Sequence, residues 1–543
     1  MSRFKNPNRA WQEVAQEAQA HRESTVASLS YPLPELPSPL PSNVLCIPSD
    51  LLDPSIITIT NLLPEQLLES LLTNKLTATA VTNAFLQRAA LCQSLVNCLT
   101  ELLPCRALAR AKELDHYYQQ HGHPIGPLHG LPVSVKEHIG MSGLRYTTGY
   151  VSFWNKTAKE DAHVLQILSR AGAVFHCRTT IPQTMMHLET DSNLFGVTVN
   201  PYNSAVTAGG SSGGEGALIA LRGSCLGIGS DVGGSIRSPA ANCGVYGLKP
   251  TAFRIPTDGW GYMMAGADTV DSVLGPLSTS LAGLAIFMKT VIDSSPWLAE
   301  PALIPIPWRP YTIPSDRPLR IGILSHDAVV RPHPPITRAL SLLASRLQSA
   351  GIQTVDFQPH LHDEAWAIIS SLYFTDGGAD DSESIDSSGE PWRPLSTWIL
   401  KQNPCVKNLS VGELTYWLEE RETYRKEYAK HWNQMSVDAI LCPVGPSVAP
   451  KHNTAKYWPY TSQWNILDYP AAVFPVCKVD KDVDVAPGHF KAMSGLDKEN
   501  WKLYDAEMFH GLPVSLQLVG RRFEDEKVLG ILQHIVEKCG LPF

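Results

Sequence analysis

The sequence predicts an α/β fold in which much of the central sheet is parallel. Two short β-branched segments, residues 131–139 and 173–179, lie on either side of a helical segment that begins at Asp161. The same alternation of strand and helix returns at residues 319–359. A helix between two strands is the usual connection of a parallel pair. The hydrophobic fraction of 44% and the charged fraction of 18% are typical of a globular protein with a large core.

Hydrophobic periodicity predicts further helices and strands. Pro64 and Glu65 open a first turn whose leucines share one face, namely Leu67, Leu68, Leu71 and Leu72. The same spacing predicts helices at residues 76–92, 106–120, 334–351, 411–434 and 524–540. Short apolar runs predict late strands within residues 438–450 and 511–522.

Three segments have the composition of loops and connections. The proline-rich residues 31–48 predict an extended arm on the surface, and the proline-heavy residues 294–318 predict a seam in the fold. Residues 375–391 are acidic and rich in glycine and serine. This composition predicts a mobile surface loop whose charges are solvated.

Charge and hydropathy narrow the class of protein. The net charge is −8 and there is no basic run, which argues against nucleic acid or an anionic membrane as a partner. No apolar run approaches the roughly 18–20 residues that span a membrane. The polar first residues, with Trp11, Val14 and Ala18 at helical spacing, lack the apolar centre of a secretion signal. The 11 cysteines form no C-x-x-C pair. We expect a soluble, cytoplasmic protein with buried free cysteines.

Two glycine-serine knots stand out, GGSSGG at residues 209–214 (the first knot) and DVGGSIR at residues 231–237 (the second knot). Glycine allows positive φ and close approach of the backbone. Each knot also has serine near its centre. We therefore predict two loops that arrange hydroxyl and backbone N–H groups around a substrate atom.

Several motifs compete for the first knot and its surroundings. A phosphate-binding loop needs lysine after the last glycine, but Glu215 stands there. A dinucleotide fingerprint beginning at Gly227 fails because residue 232 is valine. The esterase pattern G-x-S-x-G matches through Ser211 and Ser212. An α/β-hydrolase esterase with a catalytic histidine therefore remains an alternative.

The whole run from GGSSGGEGALI through DVGGSIR to GLKP, together with GLPVSVKE at residues 130–137, resembles the amidase signature family. These enzymes are serine hydrolases of carboxamides that use no catalytic histidine. The outer segments GPLHGLPVS, PQTMM, RPHPPI and GLPVSLQLVGRR look most like those of fungal acetamidases, which are general amidases.

The resemblance implies a large twisted mixed β-sheet with helices on both faces. It divides the chain into a helical and proline-rich arm at residues 1–75, packed on the core, and a single catalytic domain at residues 76–543. The core motif would occupy residues 130–250. A variable region at about residues 375–470 would contribute to the substrate pocket, with further walls from residues 181–195 and 462–470.

The resemblance also assigns roles in the site. Ser235 would be the nucleophile, Lys136 the base and Ser211 the bridge that passes a proton between them. The family's spacing favours Ser211 over Ser212 as the bridge, so Ser212 would support it by hydrogen bonding. Met185 matches a position that lines the pocket. Desolvation by the apolar neighbours of Lys136 would lower its pKa and supply the neutral amine.

The second knot would stabilise the oxyanion. The expected donors are the backbone N–H groups of Val232, Gly233, Gly234 and Ser235. These N–H groups can converge on one point because two of the four residues lack a Cβ atom. Asp231 and Arg237 flank this knot and are expected to form a structural ion pair. The family also places the Gly210–Ser211 peptide bond in the cis form.

The expected reaction converts a carboxamide to a carboxylate and ammonia through an acyl-enzyme. No cofactor or metal is expected, because the group His360, His362 and Asp363 lacks a second cluster that would complete a metal site. The partner is a small-molecule amide, and a homodimer is common in such enzymes. Two further alternatives are the glutaminase subunit of a tRNA-dependent amidotransferase and a binding protein without activity.

Overall fold

The computed structural model describes residues 9–261, 263–264 and 266–541. Within these residues, 11 strands form one mixed sheet, and two small two-stranded sheets lie beside it. The strands in chain order are β1 (Leu99–Leu102), β2 (Pro132–Lys136), β3 (Val174–Thr179), β4 (Asp191–Ser192), β5 (Gly196–Val197), β6 (Val199–Asn200), β7 (Asn203–Thr207), β8 (Leu226–Asp231), β9 (Tyr246–Lys249), β10 (Val273–Ser278), β11 (Arg320–Ile323), β12 (Gln353–Asp356), β13 (Ala439–Pro443), β14 (Ala471–Lys478) and β15 (Pro513–Val519).

The order across the large sheet is β1-β3-β2-β8-β10-β9-β14-β15-β13-β11-β12. β2 pairs in parallel with β3 and β8, and β11 pairs in parallel with β12 and β13. The strands between these two groups pair antiparallel. The strand–helix–strand pattern thus predicted the parallel pairs β2–β3 and β11–β12, and the mixed sheet matches the fold that the family resemblance implied.

Both faces of the sheet are covered. Every residue of β2, β8, β13 and β15 is buried. Alternate side chains of a strand point to opposite faces, so uninterrupted burial requires packing on both sides. The α-helices of the described residues are, in chain order, α1 (Trp11–Ala27), α2 (Ile47–Leu51), α3 (Pro54–Thr60), α4 (Pro64–Leu72), α5 (Ala78–Val96), α6 (Pro104–His121), α7 (His163–Arg170), α8 (Gly213–Ala220), α9 (Arg237–Cys243), α10 (Leu281–Asp293), α11 (Pro334–Ser349), α12 (His362–Tyr373), α13 (Ala379–Asp386), α14 (Pro394–Thr397), α15 (Val411–Met435), α16 (Pro459–Ile466), α17 (Gly495–Lys502), α18 (Ala506–Phe509) and α19 (Asp525–Cys539).

The predicted helices and strands are found, but their ends differ: some elements are shorter than predicted, and α6 is longer at both ends. The strand predicted within residues 131–139 is β2, which stops at Lys136, and the one within 438–450 stops at Pro443. α7 begins at His163 rather than at Asp161, whose carboxylate accepts a hydrogen bond from the Ser142 N–H at 2.7 Å. Sequence patterns locate the ends of helices and strands less accurately than the elements themselves.

Residues 375–391 correct a prediction, because they are not a solvated surface loop. They contain α13, and Asp381, Ile385 and Glu390 are all buried. The Tyr150 hydroxyl donates to Asp381, and the Gln183 side chain donates to Glu390 at 2.9 Å. Donors from distant parts of the chain compensate these buried acids. Composition alone does not distinguish them from solvated ones.

The N-terminal segment packs on the rest of the chain. In α1, Val14 and Ala18 form an apolar cluster with Trp154, Leu194 and Phe195. The leucine face of α4 joins the main core. The division of the chain at residue 75 stays a prediction. No described helix is both long and apolar enough to span a membrane.

Candidate active site

Two parallel strands bring the motif lysine and the second knot to one edge of the sheet. β2 ends at Lys136 and β8 ends at Asp231, and the two strands pair through Ser134 and Gly227. The carboxyl ends of parallel strands lie side by side, which is a frequent position for functional groups in α/β folds. The first knot leads directly into α8.

Lys136 is fully buried, and its amine contacts two serine hydroxyls. Nζ lies 2.7 Å from Ser211 Oγ and 2.8 Å from Ser230 Oγ. Burial lowers the pKa of Lys136 to about 7, although the negative charges of Asp231 and Glu215 oppose the shift. A lysine with this pKa is largely neutral in mildly alkaline solution, where its lone pair accepts a proton.

Ser230 is a site residue that the motifs did not identify. Its Oγ lies 3.0 Å from His138 Nε2, and His138 Nδ1 lies 3.0 Å from the Gly261 carbonyl. Burial and the charge of Lys136 hold the pKa of His138 well below its usual value, so the ring is neutral. Since Nδ1 must donate to the carbonyl, Nε2 accepts from the Ser230 hydroxyl. In the sequence, only the position of Ser230 directly before the second knot could have indicated that it belongs to the site.

The serines of the two knots lie together. Ser211 and Ser235 are buried and line the same cavity. The Ser212 N–H donates to the Ser235 carbonyl at 3.1 Å, and Ser212 Oγ accepts from the Ser230 N–H at 3.3 Å. Ser212 therefore ties the first knot to the second knot and to β8. The Gly210–Ser211 peptide bond is cis.

Asp231 and Arg237 form a fully buried ion pair that closes the second knot. Arg237 donates to Asp231 through Nη2 at 2.9 Å and Nε at 3.0 Å. Asn465 Nδ2 donates to the same carboxylate at 3.0 Å, and Arg237 Nη1 donates to the Thr461 carbonyl at 2.8 Å. Burial alone would raise the pKa of Asp231, but the charge and hydrogen bonds of Arg237 hold it well below its usual value.

The N–H groups of the second knot are not equivalent. The Gly234 N–H donates to Asp231 Oδ1 at 2.9 Å, so it holds the loop instead of pointing at a substrate. The structure therefore removes Gly234 from the predicted set of oxyanion donors. Among the described residues, we find no acceptor for the N–H groups of Val232, Gly233 and Ser235.

Two hydroxyls from distant helices fix the carbonyls of this loop. The Tyr373 hydroxyl donates to the Val232 carbonyl at 2.9 Å, and the Thr461 hydroxyl donates to the Gly233 carbonyl at 2.6 Å. A planar trans peptide points its C=O and N–H in opposite directions. Tyr373 therefore also sets the direction of the Gly233 N–H. Neither hydroxyl belongs to a sequence motif, so no local pattern could have identified them.

We expect Gly234→Ala to lower kcat by about a hundredfold, the loss that a shift of about 1 Å in a catalytic group produces. Gly234 has a φ of +132°, and an added Cβ would clash with Thr461 Oγ1. The substitution therefore moves the loop. Steady-state turnover of the carboxamides that the sequence predicts as substrates measures the effect. Gly495→Ala is the control because an added Cβ there meets no atom within 4 Å. An unchanged kcat in Gly234→Ala would show that the loop's position is not critical.

Glu215 lies buried among the residues that surround the lysine. Its carboxylate accepts from Ser134 Oγ at 2.5 Å and from Thr179 Oγ1 at 2.9 Å. Burial raises the pKa of Glu215 to about 7, although those hydrogen bonds and the charge of Lys136 oppose the shift. From the sequence alone, the only inference about Glu215 was that it occupies the position where a phosphate-binding loop needs lysine. In the fold it belongs to the electrostatic environment of Lys136.

A cavity of about 250 Å³ opens onto the two serines. Met185 lines it, as predicted, and α13 contributes Asp381. The segment 462–470 does not line it, which corrects one predicted wall; instead Asn465 lies against Asp231 behind the second knot. A large part of the wall comes from segments to which the sequence assigned no role, including Phe253, Ile255, Trp260, Met263, Met264, Val270 and Leu303.

No group of three His, Cys, Asp or Glu side chains within the described ranges has the geometry of a metal site. His362 lies instead near the rings of Tyr428 and Trp464. Burial lowers the pKa of His362 to about 3.

Comparison with known proteins agrees with this geometry. A family model described as Amidase matches residues 80–529. An acetamidase of Emericella nidulans is 38% identical over 98% of this chain and 98% of its own length. An acetamidase of Aspergillus oryzae is 36% identical over 98% of this chain and 100% of its own length.

Solved structures show the same similarity. A structure named fatty acid amide hydrolase superposes with a TM-score of 0.94 at 33% identity, covering 99% of this chain and 97% of that chain. A bacterial aryl acylamidase superposes with a TM-score of 0.68 at 20% identity, covering 89% of this chain and 99% of that chain, which supports the fold alone. The family match, the relatives and the shared fold agree over nearly the whole chain. This protein is a hydrolase of amide bonds and belongs to the amidase signature family.

Proposed function

We propose that the protein hydrolyses a carboxamide to a carboxylate and ammonia, with Ser235 as nucleophile, Ser211 as bridge and neutral Lys136 as base. The observation that carries this proposal is the buried amine of Lys136, 2.7 Å from Ser211 Oγ and with a pKa lowered to about 7. An unassisted serine is barely ionised near neutral pH and needs such a base.

The hydrogen bonds around Lys136 support a direction for proton transfer. The Ser230 hydroxyl donates a hydrogen bond to His138 Nε2, so Ser230 Oγ is left to accept a hydrogen bond from an N–H of Lys136. The lone pair of neutral Nζ is then available to the Ser211 hydroxyl. Ser211 can give its proton to Lys136 while it takes one from Ser235. Ser230 and His138 thus orient the amine without transferring the reacting proton.

Acylation follows from this arrangement. Ser235 Oγ forms a bond to the amide carbon, and the carbonyl electrons move to the oxygen, where the N–H groups of Val232, Gly233 and Ser235 stabilise the charge. As the intermediate collapses, the carbon–nitrogen bond breaks. The proton held by Lys136 returns through Ser211 to the leaving nitrogen, which departs as ammonia. Water then attacks the ester of Ser235 and releases the carboxylate.

The pH profile of kcat/KM tests the state of the lysine. The neutral fraction of Lys136 grows as pH rises, so we expect kcat/KM to rise through a midpoint near pH 7 and then level off. The charge of Glu215 raises the lysine pKa, so Glu215→Gln should move the midpoint to lower pH. A wild-type profile that falls as pH rises through 7, or a Glu215→Gln midpoint that moves upward, would contradict the proposal.

The size and lining of the cavity support an acyl group longer than acetyl. Its wall contains many apolar side chains, and each buried methylene contributes about 0.8 kcal/mol. We expect kcat/KM for hexanamide to exceed that for acetamide by at least about tenfold on this basis. Ammonia release from acetamide, hexanamide, benzamide and glutamine measures the preference. If acetamide is the best of the four, the acyl group does not use this cavity.

The same panel separates the alternatives. A glutaminase subunit would hydrolyse glutamine best, yet no lysine or arginine among the described lining residues is placed to pair with the carboxylate of glutamine. An esterase with a histidine base would lose activity in His138→Ala and keep it in Lys136→Ala. A folded protein that binds amides without releasing ammonia would be a binding protein.

A further inference from the structure

The wall of the active-site cavity contains acidic side chains but no lysine or arginine among the described residues. Its acidic and basic side chains, among the described lining residues, are the carboxylates of Asp271, Glu300 and Asp381 and the imidazole of His138. The three carboxylates come from separate parts of the chain. Glu300 already has donors, because it accepts from the Thr257 N–H at 2.9 Å and lies 3.2 Å from His163 Nδ1.

Asp381 differs from Glu300 in its surroundings. It is 2% exposed, and the Tyr150 hydroxyl, itself fully buried, donates to its Oδ1. No other described side chain donates to Asp381, and it forms no ion pair with any described lysine or arginine. Its second oxygen, Oδ2, is thus an acceptor without a side-chain partner in a residue that lines the cavity.

The fold has already removed this carboxylate from water. Burial, first of all, raises the pKa of Asp381 to about 7, and the charges of Asp376 and Asp380 act in the same direction. A ligand that brings a positive charge to Oδ2 therefore gains a charge-assisted hydrogen bond without the cost of desolvating the acid. A ligand that brings a second carboxylate meets like charge in a poorly solvated space.

We propose that Asp381 determines acyl-group specificity, selecting carboxamides whose acyl chain carries a protonated amine over those whose chain carries a carboxylate. This inference rests on the proposed function, since it concerns the acyl side of the same cavity. The chain between carbonyl and amine packs on the apolar wall, and the amine donates to Oδ2. Asp271 and Glu300 add negative potential along the wall and disfavour anionic acyl groups.

Binding and turnover are measured separately to test this. Calorimetry on Ser235→Ala, which lacks the proposed nucleophile, compares unsubstituted alkanamides with their ω-amino and ω-carboxy analogues at each length from butanamide to octanamide. At the best length we expect the amine to bind at least about tenfold more tightly than the carboxylate, a ratio within the reach of one hydrogen bond to a charged group. Ammonia release by the wild type is followed with the same compounds.

Variants assign the preference to one residue. In Asp381→Asn the amine-to-carboxylate ratio should fall to within about threefold, since a neutral amide loses the charge attraction. Glu383→Gln removes an exposed acid from the same helix and should leave the ratio unchanged. If Asp381→Asn does not fold, Tyr150→Phe serves instead: it removes the donor, keeps the carboxylate and should keep or increase the ratio.

The outcomes separate this inference from the proposed function. An amine preference in binding, without ammonia release from any amide, would support the specificity and contradict the reaction. Ammonia release without an amine preference at any chain length would support the reaction and contradict the specificity. An equal loss of preference in Glu300→Gln and in Asp381→Asn would overturn the assignment to Asp381.

Discussion

Lys136→Ala is expected to lower kcat/KM for hexanamide by about a hundredfold or more, the range for loss of a general base. The variant removes the only amine within hydrogen-bonding distance of Ser211 among the described residues, and water in the vacated space is a much weaker base than neutral lysine. KM should change less than kcat, because Lys136 does not line the cavity. Ammonia release under steady-state conditions measures both.

The matched control is Lys289→Ala, which removes an exposed lysine from α10 that pairs with Asp293. It should hydrolyse hexanamide at the wild-type rate. Circular dichroism and thermal melting of both variants test whether the fold is intact. A folded Lys136→Ala protein that retains most of its activity would show that another group activates the nucleophile, and His138 would then be the first residue to replace.

Arg237→Met is expected to destabilise the protein by about 3–5 kcal/mol, the usual result of removing one partner of a buried ion pair. Asp231 would remain buried without its principal partner, and the Thr461 carbonyl would lose a donor. With an unfolding entropy of about 2.1 cal/mol/K per residue, this corresponds to a fall in Tm of roughly 3–4 °C for a chain of this length. Differential scanning calorimetry measures the shift.

Arg309→Met provides the comparison, since that arginine is exposed. The free energy of unfolding of Arg309→Met should stay within about 0.5 kcal/mol of the wild-type value. Arg237→Met should also lose activity, because Asp231 holds the Gly234 N–H and thereby the second knot. A folded Arg237→Met protein with unchanged Tm and activity would contradict the structural role of the pair.

Motifs contain the part of the site that is local in the sequence. GLPVSVKE and the two knots predict Lys136, Ser211 and Ser235 as site residues because each stands at a fixed place in a local pattern, and the structure brings Lys136 Nζ within 2.7 Å of Ser211 Oγ. The alternation of strand and helix predicted the parallel pairs β2–β3 and β11–β12 because one crossover helix connects the two strands of each pair. These features are local, and a single sequence displays them.

The missed features depend on contacts between distant segments. Tyr373 and Thr461 hold the second knot from helices more than a hundred residues away in the chain. The acidic α13 was interpreted as a solvated loop because its composition is polar, and only the Tyr150 contact shows why Asp381 is buried. Gly234 was assigned to the oxyanion site because its sequence position does not reveal that Asp231 occupies its N–H.

The most direct test of the central claim is to map the serine that reacts with a fluorophosphonate, an electrophile that labels activated serines without the need for a substrate. Digestion and mass spectrometry locate the modified residue. The proposed mechanism predicts a single label on Ser235, formed at a rate that rises with pH through a midpoint near 7 and that falls by about a hundredfold or more in Lys136→Ala. A label on Ser211 or Ser212 that is lost in His138→Ala, and retained in Lys136→Ala, would contradict it.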